Sequence, residues 1–493
     1  MWYYIDNIID ENFFYSINKE AFMKKIKKLV SMLLVFAMTF SVAISGKITG
    51  ITQVSAREAL GSNDFLKVNG TQIRKQKGTG DIVYLRGTNA GGWLVQEDWM
   101  NPTNASDQKT MMTTLANRFG ASKRDELVST YENNYWTTQD FDNCAAMGMS
   151  VIRLPFTYMN LCDDNGNLKS NAWRRLDWFV SNCSSRGMYV ILDMHGAFGS
   201  QNGMDHSGEV NELYYNQGNK NKTLNLWAKI AEHFKGNPAV AAYDILNEPG
   251  IKAAATYSLH WDFYNEIYNT IRSKDSNHII IMESCWDADN LPRPSQYGWT
   301  NVAYEYHYYP WSAQNSSDAQ KSYFSGKVSD IANHNYGVPT FVGEFTCFEQ
   351  EEGWKAAMST FNGQGWHWTT WSYKVTGNNS WGIYNHNPEK VDIYNDSADT
   401  IKNKWSAVGT ANGWKNDKIY NLVKPYLSGT VTSTGGSTTD DSDNNSTSGV
   451  ATLYEHSNYG GWAVSLEEGS YDYKDILAKG IVNDQISSLR VSD

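Results

Sequence analysis

The chain has 493 residues, enough for one large domain with accessories, and its 19% charged and 41% hydrophobic residues are those of a globular protein rather than a disordered one. The formal net charge is −11 and no block of Lys and Arg follows the N-terminal region, which excludes the clustered positive charge that nucleic-acid binding needs. Five cysteines, Cys144, Cys162, Cys183, Cys285 and Cys347, are odd in number and lack metal-type spacing, so they read as unpaired structural thiols.

From Met23 the chain runs Met-Lys-Lys-Ile-Lys-Lys into an apolar stretch from Leu29 to Ser45, the order of an export signal. Val54-Ser55-Ala56 supplies small residues for cleavage, so the mature chain is expected to begin at Arg57, and residues 1–22 read as an upstream extension outside the fold. A membrane anchor is the competing reading, but the apolar run lies at the short end of the roughly 17–25 residues that spanning takes. The expectation is a secreted, extracellular protein with no membrane contact after signal cleavage.

Over residues 57–427 short apolar runs alternate with amphipathic helical stretches. The strand candidates are Ile82–Asn89, Ser150–Phe156, Tyr189–Gly196, Val240–Pro249, His278–Ser284, Val302–Tyr309, Thr340–Phe345 and Gly365–Tyr373. They are nearly continuous in aliphatic and aromatic residues, as strands buried on both faces should be. Helical periodicity appears at Trp173–Ser185, Thr223–Phe234, Trp261–Lys274 and Trp354–Phe361. Eight strands with intervening helices predict an α/β fold, a (β/α)8 TIM barrel, with a doubly wound sheet as runner-up. The barrel is preferred because polar residues close nearly every strand at its C-terminal end, where such barrels place their active sites. Residues 428–449 are Ser, Thr, Gly, Asp and Asn with almost nothing apolar, a flexible spacer. Residues 450–493 regain alternating apolar positions and turn glycines, a small all-β unit.

The chemistry gathers at the strand ends. Tyr243-Asp244-Ile245-Leu246-Asn247-Glu248-Pro249 delivers an Asn and a Glu, and Thr340-Phe341-Val342-Gly343-Glu344-Phe345 delivers a second Glu three strands later. Strands four and seven face each other across a barrel mouth, so the two carboxyls can meet. Glycosidic cleavage needs such a pair, an acid for the leaving oxygen and a carboxylate for the anomeric carbon; a separation of about 5–5.5 Å gives retention and about 6.5–9.5 Å inversion. Arg153 beside Glu344 would keep that carboxylate ionised. His195 ends the third strand, and His307 and Tyr309 share one side of the sixth. Asn247 can bond a sugar 2-hydroxyl, and Trp371 can form the floor of the cleavage subsite. Singly, each could be a salt-bridged carboxylate, a satisfied core histidine or a packing aromatic; six polar strand ends together point to a site. The 14% aromatic content, with 19 Trp and 30 Tyr, suits stacking on sugar rings, though a large core would also absorb much of it.

In this arrangement the chain resembles glycoside hydrolase family 5, the cellulase family of clan A, through Arg153, His195, Asn247-Glu248, His307, Tyr309, Glu344 and Trp371 in order over about 370 residues. The resemblance implies Glu248 as acid/base, Glu344 as nucleophile and no cofactor for catalysis. Arg86-Gly87-Thr88-Asn89-Ala90-Gly91-Gly92-Trp93-Leu94-Val95 and His195-Gly196-Ala197-Phe198-Gly199-Ser200-Gln201-Asn202-Gly203 look like segments of the exo-β-1,3-glucanases of that family, which adds Gln201 and Asn202 to the substrate-binding candidates. Ala90, Glu305, Tyr306 and Trp311 depart from that pattern, leaving linkage and exo or endo action open.

The C-terminal unit resembles one βγ-crystallin Greek-key motif through Leu453-Tyr454-Glu455, Tyr459, Gly461 and Ser487-Ser488-Leu489-Arg490-Val491. Asn483, Asp484 and Ser487 then fit its calcium loop, with oxygen donors suited to Ca2+, against the alternative of an ordinary polar turn. A lone motif buries little surface, which suggests self-association through this half-domain. The expected partner is β-glucan, β-1,3-linked first and β-1,4-linked or mixed-linkage second. A non-catalytic carbohydrate-binding barrel is the alternative of another class, and transglycosylation the alternative outcome of a covalent glycosyl-enzyme.

Overall fold

The computed structural model describes residues 57–428 apart from 209, 251–255 and 285, together with the backbone of three strands beyond residue 449. The export signal, the spacer beyond Ser428 and the calcium candidates Asn483, Asp484 and Ser487 lie outside the described residues. The chain divides into two compact units, Met1–Val431 and Thr432–Asp493.

In the first unit eight parallel strands close into a barrel: β1 (Arg86–Asn89), β2 (Val151–Thr157), β3 (Tyr189–Gly196), β4 (Val240–Asp244), β5 (Ile279–Glu283), β6 (Val302–Tyr308), β7 (Thr340–Phe345) and β8 (His367–Thr370). Each pairs with its successor and β8 pairs with β1. All eight coincide with runs read from the sequence, but three runs overshoot, the first of them, Ile82–Asn89, being strand only over Arg86–Asn89. The run Val240–Pro249 is strand only to Asp244, because Ile245 and Leu246 are buried apolar residues of the following loop and prolong the hydrophobic signal. The run Gly365–Tyr373 is strand only over His367–Thr370.

Helices Arg174–Ser184, Gln217–Phe234, Tyr257–Arg272 and Glu351–Gly363 occupy the periodic stretches. Three more, Gln108–Phe119, Ala121–Tyr135 and Thr138–Met147, fill the β1–β2 connection, and Ser317–His334 fills β6–β7. They carry a weak apolar signal: Gln108–Phe119 buries only Gln108, Met111 and Leu115, and its start is set by Asp107, whose side chain accepts from the Thr110 N–H.

Strand alternation sorts the barrel into layers. Ile152, Leu154, Leu192, Tyr243, Met282, Tyr304 and Tyr306 face the helices. Inward, a bottom layer of Val151, Ile191, Ile279, Ile281, Ala303 and Phe341 is apolar. The next inward positions are Arg153, Asp193, Asp244, Glu283 and Glu305, so the barrel carries a buried charged layer directly beneath its mouth. Cys144, Cys162, Cys183 and Cys347 are buried and unpaired. In the second unit three antiparallel strands, Val450–His456, Gly460–Glu467 and Ser488–Ser492, form a sheet with the first in the centre.

Candidate active site

Arg153 organises the charged layer. Its guanidinium lies 2.7 Å from Asp244 Oδ2, 3.0 Å from Asp193 Oδ2, 3.2 Å from Glu305 Oε1 and 2.9 Å from Glu344 Oε1. It also donates to Asn89 Oδ1 at 3.1 Å and Asn247 Oδ1 at 2.9 Å. Only a planar fork with five donors serves so many acceptors at once. Burial alone would lower the Arg153 pKa, but the surrounding carboxyls outweigh it and raise it well above the ordinary value. Burial pushes Asp193 and Asp244 up to about 7, with Arg153 opposing the shift.

Glu344 reaches the mouth through a fault in β7. Phe341 faces the barrel interior and Val342 the helices, so strict alternation would send Glu344 outward. The β6–β7 register instead steps from Tyr306↔Val342 to His307↔Glu344, leaving Gly343 as an extra residue. That bulge turns Glu344 inward and sends Phe345 to the outer layer. Gly343 is required on steric grounds, since a Cβ there would fall 1.5 Å from Glu305 Oε1. Arg153 then holds Glu344 Oε1, and the Tyr309 hydroxyl donates to Oε2 at 2.6 Å. Burial pushes the Glu344 carboxyl above its ordinary value; Arg153 and the Tyr309 hydrogen bond act in the opposite direction.

Glu248 lies in the loop after β4, four residues past the strand end, with φ of +40°. Its N–H donates to Glu283 Oε2 at 2.9 Å. His307 spans the two carboxyls: Nδ1 is 2.9 Å from Glu248 Oε1 and 3.5 Å from Glu344 Oε2. Burial lowers the His307 pKa to about 3, so the ring is neutral at ordinary pH. One oxygen of each glutamate and a His307 nitrogen lie within 4.8 Å of one another. His195 Nδ1 is 2.7 Å from Asp193 Oδ2, and its ring stacks on Trp371 at 5.4 Å and 6°.

Gln201 and Asn202 take a different place from the one the sequence suggests. The loop around them turns through left-handed backbone at Gly199, Ser200 and Gly203, which carries Gln201 inward to full burial. Its Nε2 donates to the His195 and Asn247 carbonyls, both at 2.8 Å, and Asn202 Nδ2 donates to the Glu248 carbonyl at 3.0 Å. Both amides are committed to holding the Glu248 loop from behind, and neither lines the cleft. Gly250 lets the two loops touch, as a Cβ there would fall 2.8 Å from Asn202.

The cleft above the pair has a volume of about 470 Å3 and includes residues that the strand-end logic missed. Trp99, Trp286, Trp311 and Trp381 form its aromatic walls, with Trp381 ring centroids 5.4 Å from Trp99, 5.7 Å from Tyr309 and 5.8 Å from Trp311. Trp311 and Met204, exposed at 57% and 52%, stand at the rim. Glu97, Asp205 and His206 bring ligand atoms within 4.8 Å of one another. Burial pushes Glu97 up to about 8, which suits a hydroxyl hydrogen-bond partner better than a cation ligand. These residues sit in loops without periodicity; the only signal was their closeness to the Gly91-Gly92-Trp93 and Ser200–Gly203 segments.

The model of the cellulase family, glycosyl hydrolase family 5, matches residues 103–377. The chain belongs to glycosyl hydrolase family 5. Within the match fall both glutamates, Arg153, His195, His307, Tyr309 and Trp371. Among curated relatives, a β-xylosidase of Phanerodontia chrysosporium is 25% identical over 346 residues, covering 64% of this chain and 71% of that protein. A probable glucan 1,3-beta-glucosidase A of Aspergillus fumigatus is 32% identical over 209 residues, covering 40% of this chain and 49% of its own length. The chain thus spans about half of that relative. An endogalactoceramidase structure superposes with a TM-score of 0.51 at 18% identity, covering 73% of this chain and 84% of the other. A rutinosidase from Aspergillus niger gives 0.50 at 18%, covering 66% and 98%. At these identities the two structures establish the fold alone. Membership makes this protein a glycoside hydrolase.

Proposed function

We propose that this family 5 enzyme is a secreted, retaining β-glucan hydrolase that favours β-1,3-glucan, with Glu344 as nucleophile and Glu248 as acid/base. The observation that carries the reading is that one oxygen of each carboxyl lies within 4.8 Å of the other, a closeness that suits the roughly 5–5.5 Å carboxyl separation of retaining enzymes better than the roughly 6.5–9.5 Å that leaves room for an attacking water. In the first step a Glu344 oxygen bonds to the anomeric carbon while Glu248 gives its proton to the departing glycosidic oxygen. In the second, Glu248 takes a proton from water, whose oxygen displaces Glu344 and restores the β-configuration. Arg153 and Tyr309, one on each Glu344 oxygen, favour the carboxylate form that attacks. The scheme needs no cofactor.

The β-1,3 preference draws support from the names of the Aspergillus relatives, matched over about half their length, and from the aromatic walls, which suit sugar faces. Export is supported by the basic and apolar segments from Met23 to Ser45.

The test is the product profile of the Arg57–Asp493 protein on laminarin and, separately, on carboxymethylcellulose and barley β-glucan, with the anomer followed by proton NMR. Glucose or laminari-oligosaccharides released first as the β-anomer support the reading. First release of the α-anomer overturns retention. Activity confined to β-1,4-containing glucans overturns the linkage, and sugar binding without new reducing ends overturns the enzyme assignment.

A further inference from the structure

Glu283, the last residue of β5, does not line the cleft and takes no part in the steps above, yet it touches the acid/base directly through the backbone. Its Oε2 accepts the Glu248 N–H at 2.9 Å, and that residue sits at φ +40°, where a non-glycine backbone needs outside support. Its other oxygen, Oε1, is buried without a hydrogen-bond partner and lies 3.4 Å from His307 Nε2. Below, the Tyr264 hydroxyl donates to the Glu283 carbonyl at 2.9 Å and reaches the Leu246 carbonyl at 3.3 Å, tying the end of β5 to the loop that carries Glu248.

Charge decides the state of this carboxyl. The charged and titratable groups facing it are Arg153 from β2, Asp244 from β4, Glu248 from the following loop, and Glu305 and His307 from β6. Arg153 is the single cation, and it already pairs at 2.7–3.2 Å with Asp193, Asp244, Glu305 and Glu344, whereas Glu283 Oε2 stands off at 3.8 Å. Another buried anion there has no counter-ion to meet it. Burial, with Glu305 and Asp244 adding to it, holds the Glu283 proton well above the usual carboxyl range.

We infer that Glu283 is a positioning residue for the acid/base, a neutral carboxylic acid that pins the Glu248 amide and so sets the reach of the Glu248 carboxyl. This rests on the assignment of Glu248 made above. A neutral acid accepts the amide N–H through one oxygen and adds no charge beside the nucleophile; glutamine has the same shape, charge and acceptor.

The experiment compares Glu283→Gln and Glu283→Ala in the full chain with a series of aryl β-glucosides of graded leaving-group pKa. Glu283→Ala should lower kcat by about 10- to 100-fold for poor leaving groups, with a smaller loss for activated ones, since only the former need the Glu248 proton. Glu283→Gln should stay within about threefold of wild type in kcat and KM. The wild-type-minus-Gln infrared difference spectrum, which requires no turnover, should contain a protonated carboxyl C=O band.

Glu283→Gln as inactive as Glu283→Ala, equal losses across the series, or a carboxylate band in place of the acid band would each overturn the inference. If Glu283→Ala does not fold, the Gln variant and the infrared band still decide. Failure of the underlying assignment shows separately, as a Glu248→Ala variant whose losses ignore the leaving group.

Discussion

Glu344 is held between opposing influences: burial raises its proton affinity, while Arg153 on one oxygen and Tyr309 on the other favour its ionised form. Glu344→Ala should therefore remove turnover by about 10^4-fold or more while leaving the circular dichroism spectrum unchanged; substantial residual hydrolysis would remove it from the nucleophile role. In the proposed mechanism attack needs the carboxylate, so activity should be lost as pH falls through the Glu344 pKa. Because that pKa is raised above the ordinary 4.5, the acid limb of kcat/KM should lie above 4.5. Tyr309→Phe deletes a bond to the ionised form, worth about 1.5–3 kcal/mol for a charged group, and should move that limb to higher pH while lowering kcat/KM about tenfold or more. An unmoved limb would show that Tyr309 only packs. Arg153, His195, His307 and Tyr309 were legible because they interrupt or close runs that are otherwise mostly apolar. Glu97, Asp205 and His206 were not, since they come from two loops more than a hundred residues apart whose meeting depends on tertiary structure. Gln201 was legible as special but misread, because three left-handed residues turn it away from the cleft.

Among the elements, β7 has the sharpest local requirement. Its bulge at Gly343 flips the side-chain phase so that Glu344 looks inward, and the missing side chain leaves space for the Glu305 carboxyl. Gly343→Ala should cost about 1–3 kcal/mol in thermal or denaturant unfolding, through overpacking, and lower kcat by displacing Glu305 from Arg153. Adding Glu305→Ala should return part of the lost stability, a coupling readable from a double-mutant cycle; simple additivity would show that the clash is relieved elsewhere. The strand itself was plain in the sequence, but the phase change was not, because an alternating reading of Phe341, Val342, Gly343 and Glu344 points the glutamate at the helices. The β4 run failed differently: Ile245 and Leu246 bury their side chains in a loop, and hydrophobicity alone does not distinguish a buried loop from a strand. The polar helices of the β1–β2 connection left too few apolar positions to announce themselves.

For the whole molecule, the eightfold pattern was readable because a parallel barrel buries both faces of every strand and so writes continuous apolar runs. The barrel unit ends with helix Asp417–Leu427, and Arg86 Nη1 donates to the Ser428 carbonyl at 3.0 Å, so the structural requirement extends just past the helix. Removing Thr432–Asp493 should leave kcat and KM on soluble laminari-oligosaccharides within about twofold, as expected when separately packed units act independently. Loss of activity on truncation would make the second unit part of the catalytic machinery.

The four described cysteines lie buried beneath helices and strands with no crosslink among them, and burial raises the thiol pKa of each, so little thiolate is exposed to react. A barrel whose described thiols are buried and uncrosslinked in this way should be indifferent to the redox poise of its surroundings. Reducing agents or mild peroxide should leave both its melting temperature and its hydrolytic rate where they were.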